Sequence, residues 1–277
     1  MHSSKRFVTL HPSHALPFAI VAFALGGCAE QGEQAAAEAV VASALETHQN
    51  GAVGKDVADT SDCNTDPEAA AKAIAARPSA AFIPSSCVQK TANGNVVHVE
   101  LEACSGRFGK NQVNGGLDAT LESTGACMVH AEIVDSGDLT ANGRKLDYQA
   151  SADITQASDH ENVAWRAEWT GTTRRGFEIH QTSDLALVTH PNGCVDADGT
   201  AHGEIDGRDY DIDVRSLGMC PDECPSSGTV HAQIDGRSKA RTLTVTFDGT
   251  TAAHVVGWTG RKFDVAMECA AVASNGS

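Results

Sequence analysis

Basic residues are few in this chain of 277 residues. Its 20 Lys and Arg stand against 36 Asp and Glu, which gives a formal net charge of −16 at pH 7. So acidic a surface repels nucleic acid and anionic lipid, and nucleic acid is therefore excluded as a partner. Long apolar runs are missing too. The apolar stretch at 15–27 is shorter than the roughly 20 residues that a membrane-spanning helix needs.

Familiar catalytic motifs are also missing. The chain has no GxSxG nucleophile elbow, no SxxK pair and no glycine-rich phosphate loop. The sequence therefore favours a protein without catalytic activity. A hydrolase with an unrecognised site stays as an alternative.

The first 27 residues read as a secretory signal. Lys5 and Arg6 give a basic start, and the apolar stretch ends in small residues before Cys28. Leu25-Gly26-Gly27-Cys28 resembles the lipobox of bacterial lipoproteins, in which the cysteine sulfur is acylated and the chain is cut just before it. The resemblance implies that 1–27 is removed and that Cys28, carrying palmitate or similar acyl chains, attaches the protein to a membrane.

The residue after this cysteine bears on the location. Ala29, rather than Asp, resembles lipoproteins that diderm bacteria forward to the outer membrane. The implied location is therefore exported and lipid-anchored to the outer membrane, on its periplasmic face or at the cell surface. The alternative is an ordinary signal peptide cut near Gly27, which leaves Cys28 for a disulfide.

Eight cysteines follow the one in the lipobox. They are Cys63, Cys87, Cys104, Cys127, Cys194, Cys220, Cys224 and Cys269. An even number in an exported chain predicts four disulfides, because the periplasm and the cell surface are oxidising. Sequence cannot select among the pairings. We predict neighbour pairs, Cys63–Cys87, Cys104–Cys127, Cys194–Cys220 and Cys224–Cys269, with Cys220–Cys224 as the main rival.

The chain divides at changes in composition. After the signal, 28–62 is rich in Ala, Glu and Gln but has few bulky side chains, which predicts a flexible tether with fluctuating helix. The next segment, 63–92, contains one short helix that begins at Pro67, and a connection. The rest, 93–277, is predicted to be an antiparallel β domain, with related halves at 93–157 and 158–277.

Alternation and turn dipeptides support the β prediction. "VVHVELEAC" at 96–104 places apolar and polar residues on opposite faces, and several later stretches do the same. Eight Asn-Gly or Asp-Gly dipeptides stand between such stretches, and they favour two-residue hairpin turns. The predicted fold is all-β, an antiparallel meander closed as a sandwich or as a curved, barrel-like sheet, with one short N-terminal helix and disulfides.

A six-residue pattern recurs three times in the β region. "GRKLDY" at 143–148, "GRDYDI" at 207–212 and "GRKFDV" at 260–265 share Gly, Arg, a charged residue, an apolar residue and Asp. We interpret each copy as a hairpin exit, in which Gly lies in the turn and Arg begins the outgoing strand with its side chain outward. Anion binding by the three Arg residues is the less favoured reading.

Histidine and glutamate recur two residues apart on the predicted strands. Such neighbours share a strand face, so residues from adjacent strands could together bind Zn²⁺ or Cu²⁺. The candidate ligands are His98, Glu100, His130, Glu132, His202, Glu204 and His231. The favoured reading is that these side chains merely fill the solvated face of the sheet.

Two weaker features complete the candidates. Asp196, Asp198 and Glu204 resemble part of a calcium loop, although Asp198-Gly199 fits a hairpin turn equally well. Trp165 and Trp169 share a strand face, where stacking on a sugar is the alternative to a place in the core.

The body as a whole resembles uncharacterised cysteine-containing, β-rich lipoproteins of diderm bacteria, and no catalytic residues carry over from that resemblance. The leading hypothesis is a membrane-anchored, non-enzymatic binding or structural module of the cell envelope, with a protein or small ligand as its partner. The second is a divalent-metal or small-ligand binder that uses the His-x-Glu faces. The hydrolase is the third.

Overall fold

A computed structural model of the chain describes residues 33–34, 36–37, 40–41, 66–76, 82–83, 85–106, 112–157, 159–172, 178–192, 194–205, 207–220, 223–235 and 239–267. The predicted signal peptide and the three cysteines Cys28, Cys63 and Cys269 lie outside these ranges. The predictions of a signal peptide, of a lipid on Cys28 and of the Cys224–Cys269 pair therefore stay predictions.

One short helix, α1, spans Pro67–Ala76 and confirms the predicted N-terminal helix. Asp66 caps it, because its carboxylate accepts a hydrogen bond from the backbone N–H of Glu68 at 3.1 Å. Ala70, Ala71 and Ile74 form the buried face of this helix. Among the described helices, none combines the length and the hydropathy that a membrane-spanning segment requires.

Six residues of the predicted tether are also helical, and we call them the N-terminal helical residues: Glu33, Gln34, Ala36, Ala37, Val40 and Val41. The tether prediction is wrong for this stretch, because all of them except Gln34 are at most 3% exposed. The prediction assumed that a segment with few bulky side chains has nothing to pack. Small alanines instead let a helix approach its neighbours closely, and the two valines contribute apolar area to the core.

Fifteen strands form the rest of the described chain. They are β1 (Phe82–Ile83), β2 (Val88–Asn93), β3 (Val96–Gly106), β4 (Gln112–Gly125), β5 (Met128–Asp135), β6 (Thr140–Ala141), β7 (Arg144–Gln156), β8 (Glu161–Thr172), β9 (Glu178–Thr189), β10 (Val195–Ile205), β11 (Arg208–Met219), β12 (Ser227–Ile234), β13 (Arg241–Thr246), β14 (Ala252–Val256) and β15 (Lys262–Ala266). A 3₁₀ turn, Ser85–Cys87, lies between β1 and β2.

The strands form one antiparallel sheet. From β7 onward each strand pairs with the next along the chain, as expected for a meander. Earlier, β1 and β2 both pair with β3, and short β6 lies beside β4 and β7. The Asn142-Gly143 turn between β6 and β7 has φ angles of 51° and 73°, which are typical of the predicted hairpin turns. The all-β antiparallel prediction is confirmed.

The apolar face of the sheet encloses one main core. A single buried cluster contains Val97 of β3, Trp165 of β8 and Val265 of β15, together with α1 and the N-terminal helical residues. Strands at both ends of the sheet therefore face the same interior, so the sheet curves around the helices. β7 and β8 pair from Leu146–Gly171 to Gln156–Glu161, so the boundary predicted between 157 and 158 falls inside this sheet.

The disulfides agree with the prediction at one pair. Cys194–Cys220 is confirmed, which excludes the rival Cys220–Cys224. Cys87 pairs with Cys104, so the predicted Cys63–Cys87 and Cys104–Cys127 pairs are wrong. Because β2 pairs antiparallel with β3, the 3₁₀ turn that contains Cys87 lies beside the end of β3 that contains Cys104. The order of the cysteines along the sequence does not reveal this proximity. Cys127 and Cys224 are disulfide-bonded as well.

Candidate functional site

Histidine–aspartate pairs cover the solvent face of the sheet. His98 Nδ1 lies 2.7 Å from Asp118 Oδ1, and His130 Nδ1 lies 2.7 Å from Asp153 Oδ1. The partners of each pair stand directly opposite one another on neighbouring strands, so the register of the sheet creates the contact. The same arrangement joins two further pairs, His202–Asp211 and His254–Asp264.

The recurring six-residue pattern supplies two of these aspartates. Asp211 and Asp264 each occupy its fifth position and face a histidine on the preceding strand. In the remaining copy Asp147 pairs with Lys145. β7 and β11 begin at Arg144 and Arg208, so these two copies are hairpin exits as interpreted. In the third copy the strand begins one residue later, at Lys262, and Arg261 still belongs to the turn. Sequence reasoning missed the aspartate's role because it compared neighbours along one strand rather than partners across the turn.

The predicted metal ligands do not converge. His98, His130, His202 and His231 lie on β3, β5, β10 and β12, and the described part of the chain holds no group of three or more residues that could bind a metal ion. His231 Nδ1 lies 3.1 Å from the hydroxyl of Thr244. Of the three glutamates, Glu100 and Glu132 lie 3.4 and 3.9 Å from their own histidines, and Glu204 stands opposite His180.

The partial calcium motif is also used by the fold. Asp198 accepts a hydrogen bond from the backbone N–H of Ser216 at 2.8 Å, and Asp196 lies 2.8 Å from Nε2 of His190. Both aspartates belong to strand β10 rather than to a loop between helices. Their oxygens therefore stabilise the pairing of β10 with its surroundings.

A groove of about 650 Å³ crosses the solvent face over β5, β7, β8, β9 and β10, and we call it the outer groove. Two rows of side chains in register line it. The first row runs Glu132, Ser151, Arg166, Asp184 and Thr200, and the second runs Val134, Gln149, Glu168, Thr182 and His202. Glu132 and His202 are the predicted candidates that it brings together on one surface.

Charged side chains in the outer groove are already oriented. Arg166 Nε donates to Asp184 at 3.1 Å. Glu168 accepts from Gln149 Nε2 at 3.1 Å and lies 2.9 Å from Nε2 of His180. The hydrogen bond with His180, followed by that with Gln149, lowers the pKa of Glu168 below its usual range. Glu168 is therefore favoured in its ionised form.

Trp165 and Trp169 lie on β8 too, on the face of the strand opposite to the outer groove. Trp165 is fully buried and Trp169 is 7% exposed, so both belong to the core rather than to a sugar-stacking surface. Tyr210 of β11 is also buried, and its hydroxyl donates to Gln181 of β9 at 2.6 Å. No Trp, Tyr or Phe is among the described residues that line the outer groove, and its chemistry is that of charges, hydroxyls and amides.

The acidic groups exceed the basic ones in this groove. Among the described lining residues, Glu132, Glu168 and Asp184 face one guanidinium, that of Arg166. None of the described contacts joins a serine or threonine of the groove to a histidine, as activation of a hydroxyl nucleophile would require. The arrangement suits binding of a positively charged, polar ligand. No protein-family model, no curated protein and no solved structure matches this chain.

Proposed function

We propose that this protein is a lipid-anchored module of the bacterial cell envelope, attached through Cys28, whose β body binds a cationic ligand in the outer groove without transforming it. The anchor is proposed from the Leu25–Cys28 lipobox resemblance. The binding role is proposed from the outer groove, whose rows of carboxylates, hydroxyls and amides cross five strands.

The rigid backbone supports a binding role. Every peptide group under the groove lies in a strand paired on both sides, so the side chains are held at fixed spacing across the sheet. Successive side chains of a row lie on neighbouring strands, roughly 5 Å apart, so a ligand whose polar groups have the same spacing can contact several of them at once. A short basic peptide or a polyamine has positive charges on this scale, and the excess of carboxylates favours it electrostatically.

A shared metal site is not proposed, because the His-x-Glu pairs stand on separate strands and their histidines have separate partners. His98 and His130 each contact one carboxylate on the neighbouring strand and one on their own strand. This leaves the outer groove as the surface where several candidate side chains meet.

Titration with penta-lysine tests the groove. We expect weak, saturable binding by calorimetry that decreases with added salt, because exposed ion pairs contribute up to about 1 kcal/mol each. Glu168→Gln combined with Asp184→Asn removes two of the three carboxylates and should weaken binding about fivefold to tenfold.

The matched control is Glu223→Gln, an exposed carboxylate that does not line the groove. It should leave the affinity unchanged. Binding that decreases equally in the control would show general attraction to an acidic protein, and absence of saturable binding would reject the groove as a cation site.

A further inference from the structure

Glu33 fixes the N-terminal helical residues to one corner of the sheet. Its carboxylate is buried, with 1% of the residue exposed, and accepts from the backbone N–H of Thr259 at 2.8 Å and from its hydroxyl at 2.9 Å. Gly257 makes room for it, since a Cβ there would lie 2.0 Å from Glu33 Oε1. Thr259 belongs to the turn between β14 and β15, so residue 33 is held at that turn.

This contact limits how far the body can lie from Cys28. Five residue steps separate Cys28 from Glu33 in the sequence, and they span at most about 18 Å when fully extended. A tether that continued to residue 62 would have allowed several times that distance. If the lipid is on Cys28, the β14–β15 turn lies within this short reach of the membrane surface.

Basic and partly exposed apolar side chains surround this turn. Arg241, Arg261 and Lys262 lie around it, and the guanidinium of Arg241 stacks over the ring of Trp258 at 5.1 Å. Val256, which is 41% exposed, stands beside them on β14. We call these five residues, 241, 256, 258, 261 and 262, the β14–β15 corner. Asp235 and Lys239 lie in the neighbouring connection, between β12 and β13.

The opposite ends of the same strands have a different charge. The connections there contain Glu223 and Asp248, and no Lys or Arg occurs among their described residues. Basic residues with a partly exposed Trp and an exposed aliphatic side chain are the groups that favour a membrane interface with anionic lipid head groups. The acidic remainder of the surface is repelled by the same head groups, which favours one orientation.

We infer that the β14–β15 corner lies against the anionic lipid surface to which Cys28 is anchored, with Glu33 and Thr259 holding the body close. This inference rests on the proposed lipid anchor and adds to it the orientation of the body. The Glu33–Thr259 contact sets the distance, and the corner residues set which face is turned to the lipid. The opposite, acidic ends of the strands then point away from the membrane.

Quenching of tryptophan fluorescence tests the orientation. The full chain, purified with its lipid, is placed in phosphatidylethanolamine–phosphatidylglycerol vesicles that carry a nitroxide on the head group. The contribution of Trp258 is the difference from Trp258→Phe, since Trp165 and Trp169 are in the core. The matched control introduces Thr250→Trp, an exposed position in the connection before the opposite end of β14, into the Trp258→Phe chain.

We expect Trp258 to be quenched at least about twofold more strongly than the tryptophan at position 250. Arg261→Glu with Lys262→Glu should reduce this quenching by about half, whereas Arg215→Glu, on strand β11, should not. A flexible spacer of about ten residues inserted after Ala29 should also reduce it, because the body can then leave the surface. The spacer alters no residue of the described fold.

Sedimentation with vesicles separates the two proposals. If the wild-type chain sediments and Cys28→Ala does not, the anchor is supported, and equal quenching at positions 258 and 250 then overturns the orientation alone. If wild type and Cys28→Ala sediment equally, or neither sediments, the lipid anchor fails and the orientation inferred from it fails as well.

Discussion

Two carboxylates contact the imidazole ring of His254 on the solvent face of the sheet. Nδ1 lies 2.8 Å from Asp264 Oδ1, and Nε2 lies 3.0 Å from Asp248 Oδ2. These hydrogen bonds, that with Asp264 first, raise the pKa of His254 above 6.5. Bonds from Thr250, followed by that from His254, lower the pKa of Asp248 to about 2. The ring is thus favoured in its protonated form while both carboxylates are ionised.

This arrangement predicts a pH-dependent contribution to stability. Because the pKa of His254 is higher in the folded than in the unfolded chain, the contribution is complete below about pH 6.5 and is lost as the pH rises through the folded-state value. Urea denaturation of wild type and His254→Gln should therefore differ most near about pH 5.5 and converge towards about pH 8.5.

Removal of both carboxylates provides the control for this prediction. In an Asp248→Asn, Asp264→Asn chain, His254→Gln should change the free energy of unfolding equally at all pH values, because the ring has lost both charged partners. A difference between wild type and His254→Gln that grows with rising pH would contradict the assigned sign.

At the scale of the element, the N-terminal helical residues are the main departure from expectation. Their sequence, rich in alanine, is a weak signal by itself, because a short helix without a packing partner is marginal in water. The structure provides the partner in the concave interior of the sheet, where Ala36 and Ala37 are fully buried. Helix propensity was visible in the sequence, whereas the space available inside the curved sheet was not.

Valine-to-alanine changes at a buried and at an exposed position test whether the N-terminal helical residues form a packed helix or a tether. Val40 is 1% exposed in the main core, so Val40→Ala should lower the free energy of unfolding by about 2 kcal/mol through lost apolar burial and the cavity left behind. Val256→Ala, at a residue 41% exposed, should change it by less than about 0.5 kcal/mol. If urea denaturation showed equally small effects of the two changes, the N-terminal helical residues would be a tether and not part of the core.

For the whole molecule, sequence predicted what depends on local patterns. Alternation around Val97, the Asn142-Gly143 turn and Pro67 at the helix start gave the strands, a hairpin and α1, because each signal lies within a few residues. The Cys87–Cys104 pair and the Asp211 and Asp264 partners depended on strand register. The outer groove, made of rows over five strands, depended on the order and curvature of the entire sheet.

One sheet and one main core imply one cooperative unit, although the sequence suggested related halves at 93–157 and 158–277. Separation between β7 and β8 would expose the long paired edges of both strands and divide the cluster that joins Val97 to Val265. We therefore expect a single unfolding transition whose calorimetric and van't Hoff enthalpies agree. We also expect neither half, expressed alone, to unfold cooperatively. Two separate transitions, or one soluble half with its own sharp transition, would show that the halves fold independently despite their shared sheet.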